Sequence, residues 1–163
     1  MQVGGFDPRD PVLDPVWGLL AELRLPVVVH CGDGPVPGRY TGLDIFDAVL
    51  AAHPQLVAVL AHAALPDYEG ALQLVQRYPR VHLDTTMVGV PFTEEFAPLP
   101  TDWPARLVDV ADRVVLGTDF PNIPYEYAAW LRAITGWAAA DDRLGISFLR
   151  AVLHDTPARL LQG

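Results

Sequence analysis

Short apolar runs alternate with longer stretches in which apolar residues recur every three or four positions, and this alternation continues along most of the chain. Apolar runs at 26–30, 56–62 and 114–119, each closing on a polar residue, predict short buried strands, and Val81-His82-Leu83-Asp84 reads as a further short strand. The helical spacing appears first at 14–24, where Val16, Leu19, Leu20 and Leu23 follow Asp14 as N-cap and Pro15 at the first helical position. A second helix is predicted at 42–53 from Leu43, Phe46, Val49 and Leu50, ended by Pro54. A third opens at Pro66-Asp67 and carries Leu72, Val75 and Tyr78 before Pro79. Further helices are predicted at 103–112, 125–137, 142–153 and 157–161. Residues 2–6 suit a short strand or its tail, 32–40 are too rich in Gly and Pro for regular structure, and 85–100 have no period and read as a long loop.

Strands that alternate with helices, over connections long enough for a crossover, predict a parallel α/β sheet. In such a sheet the carboxyl ends of the strands share one face, where ligands bind. Three of the runs end in a residue that can bind a metal or move a proton: His30, His62 and Asp119. Their convergence on that face is the functional expectation. A doubly wound sheet and a barrel both place ligands there, so the pattern leaves the two architectures open.

Composition narrows the function classes. The length of 163 residues suits one domain, and 51% hydrophobic against 19% charged residues suffices for a core. A net charge of −9, from 20 acidic and 11 basic residues without a basic cluster, argues against a nucleic-acid partner. The single Cys31 cannot form an internal disulfide, which suits a reducing compartment. The apolar runs are too short to span a bilayer, and the first residues lack the basic and apolar regions of a signal peptide. A soluble, cytoplasmic protein with a small-molecule substrate is expected.

Each candidate also has a structural reading. Asp119 could cap the turn that follows it, and Asp84 could be an acid supporting the site or a strand-end cap, with the cap preferred. His82 is expected to be structural, while His53 and His154 lie near helix ends, where a cation complements the dipole. Cys31 should point away from His30 and pack. Phe92, Phe96 and Trp103 could line a pocket or anchor the long loop. Arg39, in the loop after the first strand with Tyr40, could hold a substrate carboxylate or lie solvated.

Leu-Pro-Val-Val-Val-His-Cys-Gly around His30, Val-Leu-Ala-His-Ala-Ala around His62, Leu83-Asp84-Thr85-Thr86 and Leu-Gly-Thr-Asp-Phe-Pro at 116–121 together resemble the amidohydrolase-related family. Thr-Pro-Ala-Arg-Leu-Leu at 156–161 is similar to that family's last helix, although Asn is more usual where Thr156 stands. The resemblance implies a partial (β/α)8 TIM barrel, roughly strands 4 to 8 with their helices, forming a single domain over 1–163 that lacks the amino-terminal barrel strands. It implies a metal-dependent hydrolase acting on a small organic acid, lactone or amide. A decarboxylase of the same family is an alternative. By the same resemblance His30 is a ligand of a divalent metal, zinc foremost. His62 polarises substrate or orients water, and Asp119 contacts the metal and takes a proton from its bound water. Arg39 and Phe92 are the substrate-binding candidates.

One departure is large. The family's first strand carries a His-x-His pair that supplies two ligands, and this sequence has none. Barrels of this class run to about 250 residues. The chain alone is therefore expected to bind metal weakly or not at all, and the alternative of a catalytically silent fragment or interaction subunit stands beside the enzyme. Unpaired sheet edges further predict a homo-oligomer or pairing with a missing amino-terminal half.

Overall fold

The computed structural model describes residues 4–162. Four short strands, β1 (Val27–Val29), β2 (Ala58–Leu60), β3 (Val81–Asp84) and β4 (Val114–Val115), form one sheet in the order β1-β2-β3-β4, and every neighbouring pair is parallel. Val28 lies opposite Val59, Val59 opposite His82, and Asp84 opposite Val115. Consecutive strands that remain neighbours are the winding of a barrel, whereas a doubly wound sheet reverses its order at a switch point. The fold is α/β, an arc of a (β/α)8 barrel.

Helices α2 (Leu43–Ala52) and α3 (Tyr68–Arg77) supply the first connections and, with α1 (Asp14–Glu22) ahead of β1, cover one face of the sheet. Phe46, Val49 and Leu50 of α2 and Leu72 and Val75 of α3 are buried against the strands, and Trp17 of α1 meets Phe46 edge-on at 6.2 Å. Beyond β3 come two single-turn helices, α4 (Pro91–Glu94) and α5 (Trp103–Arg106), and then a 3₁₀ stretch, Leu107–Arg113. After β4 follow α6 (Ala129–Ala140), α7 (Ile146–Arg150), a π turn over Ala151–Asp155 and α8 (Thr156–Gln162).

Several local expectations are corrected. Leu13 occupies the cap position of α1 with no side-chain capping bond, and Asp14 lies inside the helix, its carboxylate 2.9 Å from His53 Nε2. The run expected as a strand to Asp119 leaves the ladder after Val115, because the Leu116 N–H donates to the Val152 carbonyl of the π turn instead. The expected helix at 125–137 starts at Ala129 and ends at Ala140. Residues 4–6 are not strand, and residues 2 and 3 of that expectation lie outside the described residues.

Among the described residues β1 is an edge strand. Val28, on the face turned away from the helices, is 68% exposed. On α1, Val12 just before it, Val16, Leu19 and Leu23 just after it form a second, solvent-facing apolar stripe at helical spacing, about a quarter-turn round the helix from the stripe of Leu13, Trp17 and Leu20 that faces the core. No helix among the described residues is long and apolar enough to cross a membrane.

Candidate active site

Side chains on a strand alternate between faces, so Val27 and Val29 pack under the helices while Val28 and His30 share the opposite face. The same alternation puts Val59, Asp84, Val115 and Gly117 on that face, and all of them line one cavity of about 930 Å³. The cavity opens at the carboxyl ends of the strands and takes in His30, His62, Asp84, Asp119 and Phe92. Cys31 points the other way and is fully buried in the core, where desolvation pushes its thiol up to about 12. It is a packing residue.

His30 and His62 meet edge to face with ring centroids 5.0 Å apart. The Nε2 of His30 lies 3.0 Å from the Gly34 carbonyl, and that bond requires the proton on Nε2, leaving Nδ1 as acceptor. Burial lowers the pKa of His30, the Gly34 bond opposes this, His62 adds to the lowering and Asp119 opposes it. His30 is thus a neutral imidazole at pH 7. His62 is buried, and its Nδ1 has no hydrogen-bond partner among the described residues.

The backbone here is strained. His62, Ala63 and Ala64 have φ of 56°, 46° and 51°, three successive non-glycine residues in the left-handed region, and Asp119 has φ of 49°. Each such residue costs on the order of 1–2 kcal/mol. Sparsely populated conformations of this kind persist only where the surroundings over-determine them, and they concentrate at functional sites. In this chain they lie in the segments that follow β2 and β4, with His62 and Asp119 on the cavity wall.

Asp84 plays a larger part than a strand-end cap. It is 7% exposed, and its carboxylate accepts from the His62 backbone N–H at 3.2 Å, from the Thr86 N–H at 3.1 Å and from the Thr86 hydroxyl at 2.9 Å. Burial raises its pKa, opposed by the Thr86 and His62 bonds. The sequence carried one signal for this, an acid at the close of a strand-like run, the pattern that also marked Asp119.

Phe92 of α4, the single helical turn that interrupts the loop expected at 85–100, and Phe96 just after it meet at 5.5 Å, and Phe92 lies 6.1 Å from Tyr125, so the segments after β3 and β4 build one aromatic wall. The Tyr125 hydroxyl is buried without a hydrogen-bond partner among the described residues. Trp103 is an anchor: it is buried against Tyr68 at 5.4 Å, and its indole N–H donates to the Tyr68 carbonyl at 2.9 Å. Arg39 does not line the cavity, and its guanidinium stacks 5.0 Å over the Tyr40 ring. His82 is half-buried and bonds the Arg80 carbonyl, while His154 pairs with Asp155 at the surface.

Two imidazoles and a carboxylate are suitable donors for zinc. Among the described residues, however, no three His, Cys, Asp or Glu side chains are grouped to hold an ion. The side chains present do not by themselves fit a resident metal, and no chemical step is assigned to one.

Residues 1–163 match the family model described as Amidohydrolase. None of the curated proteins compared matches the chain. Among solved structures, an uncharacterized TIM-barrel protein from Bordetella bronchiseptica superimposes with a TM-score of 0.70 at 24% identity, over 96% of this chain and 52% of that one. A zinc-bound amidohydrolase from Burkholderia multivorans gives 0.65 at 18% identity, over 94% and 58%. Dihydroorotase from Campylobacter jejuni gives 0.66 at 14% identity, over 99% and 55%. The chain spans little more than half the length of these barrels.

Proposed function

The chain belongs to the amidohydrolase family, and on that premise we propose that it carries one side of a hydrolytic site for a small lactone, amide or related organic acid derivative. The observation that supports this is the meeting of His30, His62, Asp84 and Asp119 on a single cavity at the carboxyl ends of parallel strands. Water attacks the acyl carbon, and Asp119 takes the proton that water loses. His62 polarises the carbonyl, and the proton then passes to the departing alkoxide or amine as the carbonyl re-forms. The aromatic wall around Phe92 takes the apolar part of the substrate. A divalent metal, zinc foremost, as in the Burkholderia multivorans neighbour, joins this site only when ligands from outside the chain complete a set around His30 and Asp119.

Those ligands, and the cover for the exposed β1 edge and α1 stripe, come from a second copy of the chain or from a separate amino-terminal half built of β/α units. The unmatched half of each barrel neighbour supports this reading. Light scattering that showed a stable compact monomer at micromolar concentration would sink it.

The catalytic reading is tested with a panel of small lactones and amides, in the presence of zinc, on the native protein and on Asp119→Asn. General-base removal should lower turnover by about 10²–10⁴-fold with the fold retained. Equal turnover in the two proteins would refute the assigned role.

A further inference from the structure

The ends of three strands meet on one carboxylate. Asp84 closes β3, and its Oδ2 receives the N–H of His62 from the end of β2 at 3.2 Å. Its Oδ1 receives two donors from Thr86, the N–H at 3.1 Å and the hydroxyl at 2.9 Å. From the third side the segment that follows β4 presses in through Gly117, two residues before Asp119. A Cβ at Gly117 would stand 2.0 Å from Asp84 Oδ1 and 2.3 Å from Thr86 Oγ1, so only a residue without a side chain lets the carboxylate stay where it is. The His62 N–H that it grips opens a left-handed stretch, His62 to Ala64, of the kind that persists only where its surroundings hold it.

We infer that Asp84 is a positioning residue: its carboxylate holds the His62 backbone in the turn that sets the imidazole beside His30, and Gly117 leaves the space it needs. The functional meaning rests on the hydrolase reading above, whereas the geometry and its test do not. A carboxylate suits this place better than an amide, because all three incoming groups are donors. An Asn that keeps its oxygen on Thr86 turns its NH₂ toward the His62 N–H, donor against donor. A mere Asx turn at the end of β3 would involve Thr86 alone and leave His62 indifferent.

The experiment uses the metal-free, ¹⁵N-labelled chain and follows the backbone amides and the imidazoles of its five histidines by NMR. Asp84→Asn should shift the amide and ring resonances of His62 while those of His53 and His154 stay in place. Gly117→Ala keeps the carboxylate but displaces it, and should move the same His62 signals. Thr86→Ala removes the hydroxyl, keeps the backbone N–H bond at that position and puts no new atom against the carboxylate, and it should leave them where they are. His62 signals unchanged in folded Asp84→Asn would overturn the inference. Should that variant fail to fold, the native protein decides: the His62 amide must be protected from hydrogen exchange, and exchange as fast as that of an exposed loop amide would overturn it equally. None of these signals depends on turnover, so a chain that hydrolyses nothing can still show the hold on His62, and an active one can lack it.

Discussion

Tyr68→Phe tests how the wall of the site is held in place. Tyr68, at the first position of α3, is 2% exposed, and its hydroxyl donates to the Ala97 carbonyl at 3.1 Å, across from the long loop that carries Phe92. Burial raises the phenol pKa, so the group remains a donor at any working pH. Removing the hydroxyl deletes one hydrogen bond and strands a buried carbonyl, since Ala97 is itself 1% exposed. Leaving such an acceptor unsatisfied costs about 1–3 kcal/mol. In a chain of this size each kcal/mol moves the melting midpoint by roughly 2–4 °C, so a fall of about 2–12 °C is expected in thermal unfolding followed by circular dichroism. Loss should also be local: Trp103 lies against Tyr68, so its fluorescence should change, and protease should cut faster within 85–102. A midpoint equal to that of the native protein, with unchanged cleavage of that loop, would refute the view that Tyr68 anchors it.

Three further outcomes follow from the same geometry. Zinc retained after incubation and desalting should be well below one equivalent per chain, because no three ligands are grouped among the described residues; an equivalent bound by a monomer would contradict this. His82 is desolvated and its pKa lowered, with the Arg80 carbonyl opposing. Its contribution is present above the unfolded value of 6.5 and is lost as pH falls through the depressed folded value. Urea unfolding should thus show stability declining below pH 6.5, with a shallower decline in His82→Gln, and parallel profiles would contradict the assignment. Replacing Val28 and Leu19 together by Lys should leave the melting midpoint within a few degrees while abolishing any self-association seen by sedimentation, because both side chains already face solvent. A large drop in midpoint would mean that they are core residues.

The fold class was legible because strand and helix write different periods into the chain. Runs such as Val27–Val29 and the stripe Phe46, Val49, Leu50 are local patterns, and the structure places both where the periods say. Strand ends were less legible. The run from Val114 stays apolar to Leu116, yet the ladder stops at Val115 because a carbonyl from the π turn, far along the chain, takes the next N–H. Nor does a local pattern distinguish Asp14 as a cap from Asp14 as a partner of His53, since that choice depends on a contact across 39 positions.

The site divides in the same way. His30, His62 and Asp119 were marked as candidates because each ends an apolar run, and chemistry at a strand end is a property of residue type and local order. The sequence by itself thus determined the period of the elements, the parallel α/β class and the chemical groups offered at the strand ends. Only the tertiary structure decided that the strands follow one another as in a barrel, that Asp84 binds His62 and abuts Gly117, that Arg39 stays off the cavity and that β1 and α1 expose apolar faces. The physical reason is range: periodicity and residue chemistry act over a few positions, whereas strand order, register and close approach depend on segments tens of residues apart.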